Sequence, residues 1–455
     1  MSTTMREAIE QIPVRPQQHL SVYHDEQLVG HIGYEPNNGN WTLQYAPEWA
    51  ASRTSFPLSP TLPLNADPAT YQSETIKRFV VNLFPEGRAL EIAIETLKIS
   101  RNNSFALLAE YGADTAGAFI FSNGVRAPVE VQAKRLLPRE ELSQRIAIHD
   151  KDGYAMFDGK VRMSVAGYQD KLVVYTQSPL TDLDVDTEMF LVDRPLASTA
   201  ILKPEPKQLP FLVANEHFCM RLAKVCGLPV AEVALLRVPQ PVLAVERFDR
   251  QRDKEGNAVW RLHTIDACQA LDLPVEFKYE RNLGRVRPEY RDGVSFSKLF
   301  SIEATTPTRL NLIRWAIFQL LIGNSDAHGK NFSYFVRRHG LEPTPWYDVV
   351  SVVQYEQFEH DLAMGVGDAF TWEEVSGYEL ATFARDCSIP MPTFAREVKS
   401  LVKSITKQST NAKLLAVYTR EERAIVERII ALAIKRGQRL IELSIQAKGL
   451  NPYLD

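Results

Sequence analysis

"GNSDAHGKNFSYF", residues Gly323–Phe335, sets six polar side chains into the eight residues from Asn324 to Asn331. Before it runs "LNLIRWAIFQLLI", apolar at helical spacing; after it "NFSYFVRR" alternates like a strand. Asp326 and Asn331 stand five residues apart, the offset of the protein-kinase catalytic loop H-R-D-L-x-x-x-N. In that chemistry the Asp accepts the proton of an attacking hydroxyl, while the Asn holds a metal ion on the phosphate side. A short turn at the mouth of a helix presents both. Two blander readings of the same hexapeptide stay open. Asp326 and Asn331 can satisfy their own turn backbone, and His328 can be read as a metal ligand, though no second His follows at i+4.

Working outward, the chain continues as a strand, turns at His339-Gly340, and returns in a second strand ending "TPWYDVVS". Asp348 falls at that strand's end, seventeen residues after Asn331, where a kinase needs a second metal-holding carboxylate. The D-F-G form is absent, because Val349 and Val350 follow the Asp. Upstream, "ILKPEP" places Lys203 in a short apolar strand, and thirteen residues later Glu216 opens the helix "NEHFCMRLAKV". A strand lysine paired with a helix glutamate is the kinase device that orients the α- and β-phosphates. The plainer readings are an edge lysine that snorkels and an exposed glutamate favoured by the helix dipole.

Earlier still, "RMSVAGYQDKLVV" is a turn between strands with a single glycine, Gly167. It matches neither G-x-G-x-x-G nor G-x-x-x-x-G-K-[ST], yet its backbone N–H groups and Lys171 could meet an anion. After Glu216, "PVLAVERFDR" carries Glu246, Arg247 and Phe248 at a strand end, where a hinge would meet an adenine edge. Each stretch alone is ordinary. Together they follow the chain order of a kinase, and that order points to an ATP-dependent phosphotransferase.

The bulk properties agree. Of the 455 residues, 45% are hydrophobic and 24% charged, with a formal net charge of −4, so overall charge does not mark a nucleic-acid binder. Cys219, Cys226, Cys268 and Cys387 form no C-x-x-C, which argues against zinc and for reduced, buried thiols of a cytoplasmic protein. The N-terminus lacks the apolar segment of a signal peptide. The run Leu310 to Ile322 is too short for a bilayer and contains Arg314 and Gln319, so no membrane role is expected.

Alternation from Leu20, the turn "NNGN" and "WTLQYA" predict a meander, followed by the Pro-rich "FPLSPTLPLNADP" and three short helices. The expected fold class is α+β, a protein-kinase-like two-lobed fold. It comprises a small N-terminal α/β domain at 18–125, a β-rich nucleotide lobe at 150–290 and a mainly helical lobe at 291–447. The last helix is announced by a capping box, Thr419 and Glu422.

"SVAGYQDK", "ILKPEP", "NEHFC", "AVERFDR", "NSDAHGKNFSYF" and "YDVVS" together resemble the HipA family of bacterial serine/threonine protein kinases. "QYAPEWAASRTSFPLSPTLPL" and "NLFPEGRALE" extend the likeness into the N-terminal domain, so that it spans residues 18 to 445. The resemblance implies the toxin of a toxin–antitoxin pair, using ATP and Mg2+. Its expected partner is a small helix-turn-helix antitoxin and repressor, which alone would contact DNA. Its expected protein substrate is an aminoacyl-tRNA synthetase of the glutamyl type, whose phosphorylation halts translation.

Carried over by motif, Asp326 is the catalytic residue, and Asn331 and Asp348 are the metal ligands. Ala166, Gly167, Tyr168, Gln169, Asp170 and Lys171 form the phosphate loop, and Lys203, supported by Glu216, contacts the nucleotide phosphates. Glu246, Arg247 and Phe248 line the adenine hinge. His328, Gly329, Lys330 and Tyr347 also face the nucleotide. Ser164 matches a serine that the family autophosphorylates; a dianion beside a phosphate-cradling loop would repel ATP. Tyr168 and Asp170 stand where Ala and Glu are expected, and Gly329 where Ala is expected. The loop "FKYERNLGRVRPEYRDG" carries no motif and is assigned to target choice. The competing functions are a small-molecule phosphotransferase and a catalytically silent corepressor carried by a DNA-binding partner.

Overall fold

The meander forms as its alternation requires. Strands β1 (Gln18–His24), β2 (Gln27–Glu35) and β3 (Asn40–Tyr45) turn the apolar residues Leu20, Val22, Val29, Ile32, Trp41 and Leu43 inward. Their polar alternates face outward, as expected of a sheet solvated on one side. In this computed structural model the described residues are 18–450, apart from 113, 124–133, 153–155, 158–159, 162–170, 183–186, 193–195, 254–257, 282–289 and 304. Helices α1 (Ser73–Val81), α2 (Gly87–Leu97) and α3 (Ser104–Tyr111) precede β4 (Phe119–Ser122), which completes a sheet ordered β3-β2-β1-β4. Its pairings are antiparallel, so this unit is α+β in its own right rather than the expected α/β.

The second sheet has six strands. In chain order they are β5 (Lys134–Leu136), β6 (Leu172–Thr176), β7 (Met189–Val192), β8 (Ala200–Pro204), β9 (Val233–Val238) and β10 (Gln240–Glu246). They lie in the order β9-β10-β8-β6-β7-β5. Leu172, Val174, Ala200, Leu202, Val242 and Ala244 form one cluster with Leu142 and Ile146 of α4 (Arg139–Asp152). Helix α5 (Leu212–Val225) covers the sheet elsewhere, with Phe218, Leu222 and Ala223 in the larger core.

The helical lobe is organised by α6 (Thr306–Ile322), buried almost all round from Leu312 to Ile322. Such a helix belongs at the centre of a lobe, and each of its buried Leu, Ile and Phe side chains contributes about 1.5–3 kcal/mol. Around it lie α7 (Gly377–Asp386), α8 (Met391–Gln408) and α9 (Arg420–Ala447). The predicted box at the start of α9 is present, with Glu422 N donating to Thr419 Oγ1 at 3.3 Å and Thr419 N donating to Glu422 Oε2 at 2.9 Å. No described helix is long and apolar enough to cross a membrane. Cys219, Cys268 and Cys387 are buried and unpaired; Cys226 is unpaired and half-buried.

Two expectations need correction. Helix α5 begins at Leu212, so Glu216 does not open it but lies one turn in and is buried. The expected hairpin forms, β12 (Ser333–Arg337) pairing with β11 (Thr264–Asp266) and with the short β13 (Gly340–Pro343), but β13 ends at Pro343, so Asp348 lies beyond the strand rather than at its end. Beyond it Trp346 makes a single parallel bridge to Val230, and Asp348 sits at φ 52°, in left-handed backbone. A non-glycine residue held there marks a position fixed by its surroundings.

Candidate active site

Helix α6 ends at Gly323, whose φ of 73° turns the chain out of the helix. A Cβ at that position would lie 2.4 Å from Val353 Cγ2, so glycine serves both the turn and the packing. The loop that follows is tied by its own amides. Asn324 Oδ1 accepts from Asp326 N at 3.2 Å, and Asn324 Nδ2 donates to Gln319 Oε1 at 2.9 Å and to the Asp348 carbonyl at 3.3 Å. Asn331 Nδ2 donates to the Asp326 carbonyl at 2.9 Å. The turn-satisfying reading therefore holds for part of this loop. Asn324 does more than that reading allows, since it also fixes the segment carrying Asp348. With its Nδ2 spent, Asn331 has its amide oxygen to offer the cavity.

That cavity, about 530 Å3, is bounded by Asp326, His328, Lys330, Asn331, Asp348, Lys171, Lys203 and Glu216. Lys203 comes from β8, where its neighbours hold it 4% exposed, and its Nζ donates to Glu216 Oε1 at 2.6 Å and to Asp348. Lys171 Nζ approaches Asp348 Oδ2 at 4.0 Å. Burial works against an ionised Asp348, but Lys203 and Lys171 outweigh it and hold the carboxyl below the usual carboxylate range. Burial likewise works against a charged Lys203, and Asp348 and Glu216 overcome it. Both partners thus keep their charges in the interior.

Asp326 accepts a 2.6 Å hydrogen bond from the Tyr279 hydroxyl on Oδ1. Burial raises its carboxyl above the usual range, and the Tyr279 bond pulls the other way. His328 is buried, its Nδ1 accepts from Lys330 N at 3.2 Å, and its ring meets Tyr279 edge-on at 5.1 Å. Burial holds it well below its ordinary value, so the ring is neutral. Lys330, expected at the nucleotide, directs its amine to Asp266 and to Asn82, 3.0 Å from the carbonyl and 3.2 Å from Oδ1. A Cβ on Gly329 would meet Val294 Cγ2 at 2.5 Å, which accounts for glycine where alanine is expected.

The hinge residues lie apart from this cavity. Glu246 accepts from Leu180 N at 3.0 Å and pairs with Arg252. Arg247 is locked to Asp249 at 2.9 and 3.0 Å and to Ser198 Oγ at 2.8 Å, while its backbone N donates to the Thr199 carbonyl. The Phe248 ring lies 5.6 Å from that of Tyr347, whose hydroxyl donates to the Lys330 carbonyl at 2.6 Å. Ser164 and the stretch Ala166–Asp170 lie outside the described residues.

Among the cavity residues that escaped the sequence reading are Glu86, Lys278 and Tyr279. Lys278 Nζ pairs with Glu86 Oε2 at 2.6 Å, and the Lys278 carbonyl accepts from Gly329 N at 2.8 Å. Glu86 belongs to "NLFPEGR" and Lys278-Tyr279 to the motif-less "FKYERN". The available signal was a Lys-Tyr-Glu run outside any regular element.

Comparison with known proteins bears on this geometry. The model of the HipA N-terminal domain matches residues 20–122, and that of the HipA-like C-terminal domain matches residues 163–412. The chain belongs to the HipA family. A serine/threonine-protein kinase toxin HipA of Shewanella oneidensis is 40% identical over 379 residues, covering 82% of this chain and 84% of that protein. A solved complex of HipA, HipB and operator DNA from Shewanella oneidensis MR-1 superposes with a TM-score of 0.82. It is 35% identical and covers 95% of this chain and 100% of that one. Both HipA modules meet at the cavity: Glu86 comes from the N-terminal match, and Lys171, Lys203, Asp326, Asn331 and Asp348 from the C-terminal one.

Proposed function

We propose that this HipA-family chain is an ATP- and Mg2+-dependent serine/threonine protein kinase acting in the cytoplasm, the toxin of a toxin–antitoxin pair. The observation that carries it is the placement of Lys203. One ammonium from the β-rich lobe joins Glu216 to Asp348 of the helical lobe, at the mouth of a loop that presents Asp326 and Asn331. This is the juxtaposition a kinase uses to hold nucleotide phosphates beside a catalytic base.

Asp326 takes the proton of a serine or threonine hydroxyl as that oxygen bonds to the γ-phosphorus and the bond to ADP breaks. Its Oδ1 is held by Tyr279, which fixes the carboxylate and leaves Oδ2 for the hydroxyl. The donor set suits Mg2+, a hard cation that takes oxygen ligands: the Asp348 carboxylate and the amide oxygen of Asn331, whose nitrogen is spent. Held there, Mg2+ would neutralise phosphate charge. Lys203 is then the group that binds and orients the α- and β-phosphates, with Glu216 keeping it in place.

By family likeness the substrate is an aminoacyl-tRNA synthetase of the glutamyl type, and Ser164 is the autophosphorylation site. The HipA–HipB–DNA complex supports a small DNA-binding antitoxin as partner, with DNA contacted through it. The test is incubation with labelled ATP, Mg2+ and purified glutamyl-tRNA synthetase. Label on the synthetase, absent with Asp326→Asn, is the expected result. No label on either protein sinks the kinase reading, and binding of ATP without transfer favours the silent corepressor. Label on a small hydroxylated metabolite instead makes it a small-molecule phosphotransferase.

A further inference from the structure

Phosphoryl transfer builds negative charge at the γ-phosphoryl oxygens, and kinases place a cation there. Among the described residues five cationic side chains line the cavity: Lys171, Lys203, Lys278, Arg281 and Lys330. Lys203 and Lys171 gather at Asp348. Lys330 is turned into Asp266 and Asn82, and the Arg281 guanidinium lies 3.5 Å over the Phe370 ring. His328, the one other nitrogen base in the catalytic loop, is neutral. Lys278 is left on the Asp326 side. It adjoins Tyr279, which holds the Asp326 carboxylate, and its backbone carbonyl anchors Gly329 of the catalytic loop.

Its present partner is unusual. Glu86 holds the Lys278 ammonium through Oε2 at 2.6 Å, while Glu86 Oε1 is shut from solvent with no hydrogen-bond partner among the described residues. This carboxylate, only half satisfied, stands on the wall of a cavity rich in cationic side chains and is a partner that a more highly charged anion can displace. We propose that Lys278 is a catalytic residue that binds the γ-phosphoryl group, and that Glu86 of the N-terminal domain holds it until the nucleotide takes its place. The assignment rests on the ATP reading above. It makes the N-terminal domain part of the catalytic site, because that domain supplies the contact that ATP must displace.

The test compares ATP and ADP affinities of the full chain with Mg2+, by calorimetry, for the wild type, Lys278→Met, Lys278→Arg and Glu86→Gln. Lys278→Met weakens ATP about tenfold and leaves ADP within about twofold, because the lost charge faces only the third phosphate. Lys278→Arg restores the preference. Glu86→Gln strengthens ATP and not ADP, since nothing then competes for the ammonium. In single-turnover transfer Lys278→Met falls on the order of a hundredfold, the size seen when one preorganised donor to a developing oxyanion is removed. Equal losses for ATP and ADP in Lys278→Met, or no loss, overturn the assignment and leave the kinase reading standing. A wild type that binds neither nucleotide ends both.

Discussion

Lys203 and Asp348, 145 residues apart in the chain, are hydrogen-bonded across the two lobes, and Glu216 accepts from the same ammonium at 2.6 Å. On the proposed reading, the carboxylate assigned to the metal is charge-balanced by the lysine assigned to the phosphates. Binding on that reading would exchange partners: nucleotide phosphate would take over Lys203, and Asp348 would be freed to hold Mg2+. Asp348→Asn is expected to abolish the strengthening of ATP binding by Mg2+, while ATP affinity in EDTA stays level or rises, because Lys203 and Lys171 lose their competing anion. Titrations with and without Mg2+ check this; a variant that keeps the full Mg2+ response refutes Asp348 as a ligand.

As the proposed base, Asp326 must be ionised to accept a proton, and its burial raises its pKa above the ordinary carboxylate value. Activity should accordingly rise with pH through that raised value and be lost as pH falls below it. Tyr279 opposes the shift by donating to the ionised form. Tyr279→Phe is expected to move the acid limb of kcat/KM to higher pH, leaving a high-pH plateau. Asp326→Asn lowers transfer about a thousandfold. An unmoved acid limb in Tyr279→Phe would exclude the positioning role.

The Arg247 guanidinium joins Asp249, Ser198 and the Thr115 carbonyl in a buried network that ties the N-terminal domain to the β-rich lobe. Removing one partner of a buried ion cluster leaves uncompensated charge, at a cost of about 3–5 kcal/mol. Arg247→Ala should lower the denaturation midpoint accordingly. A loss below about 1 kcal/mol, within the range of an exposed pair, would show that the network carries little.

Ser164 follows from the family likeness alone. Ser164→Ala should abolish self-labelling with ATP, and Ser164→Asp should weaken ATP binding, since added negative charge beside a phosphate loop repels the nucleotide. Mass spectrometry of the labelled chain locates the phosphate; label on another residue would reassign the site.

Much of this was legible in the chain itself. The meander, the α9 capping box and the helix–loop–strand around Asp326 are local patterns, decided by periodicity and capping within a few residues. The chain order of a kinase then picked out Lys203, Glu216, Asp326, Asn331 and Asp348 along the sequence, and family likeness agreed with it. Positions set by distant contacts were not legible. Glu216 sits inside its helix because Phe211, at φ 64°, turns into a helix four residues before the expected start. The Lys330 amine is engaged by Asn82 and Asp266, which lie 248 and 64 residues upstream. Tyr279 meets Asp326 from 47 residues upstream and Lys278 meets Glu86 from 192 downstream. The sequence by itself determined which elements form and which side chains a phosphoryl-transfer site requires. Only the tertiary structure decided which cation faces which anion, because charge pairing in a buried cavity depends on who is within reach, and no local pattern encodes that.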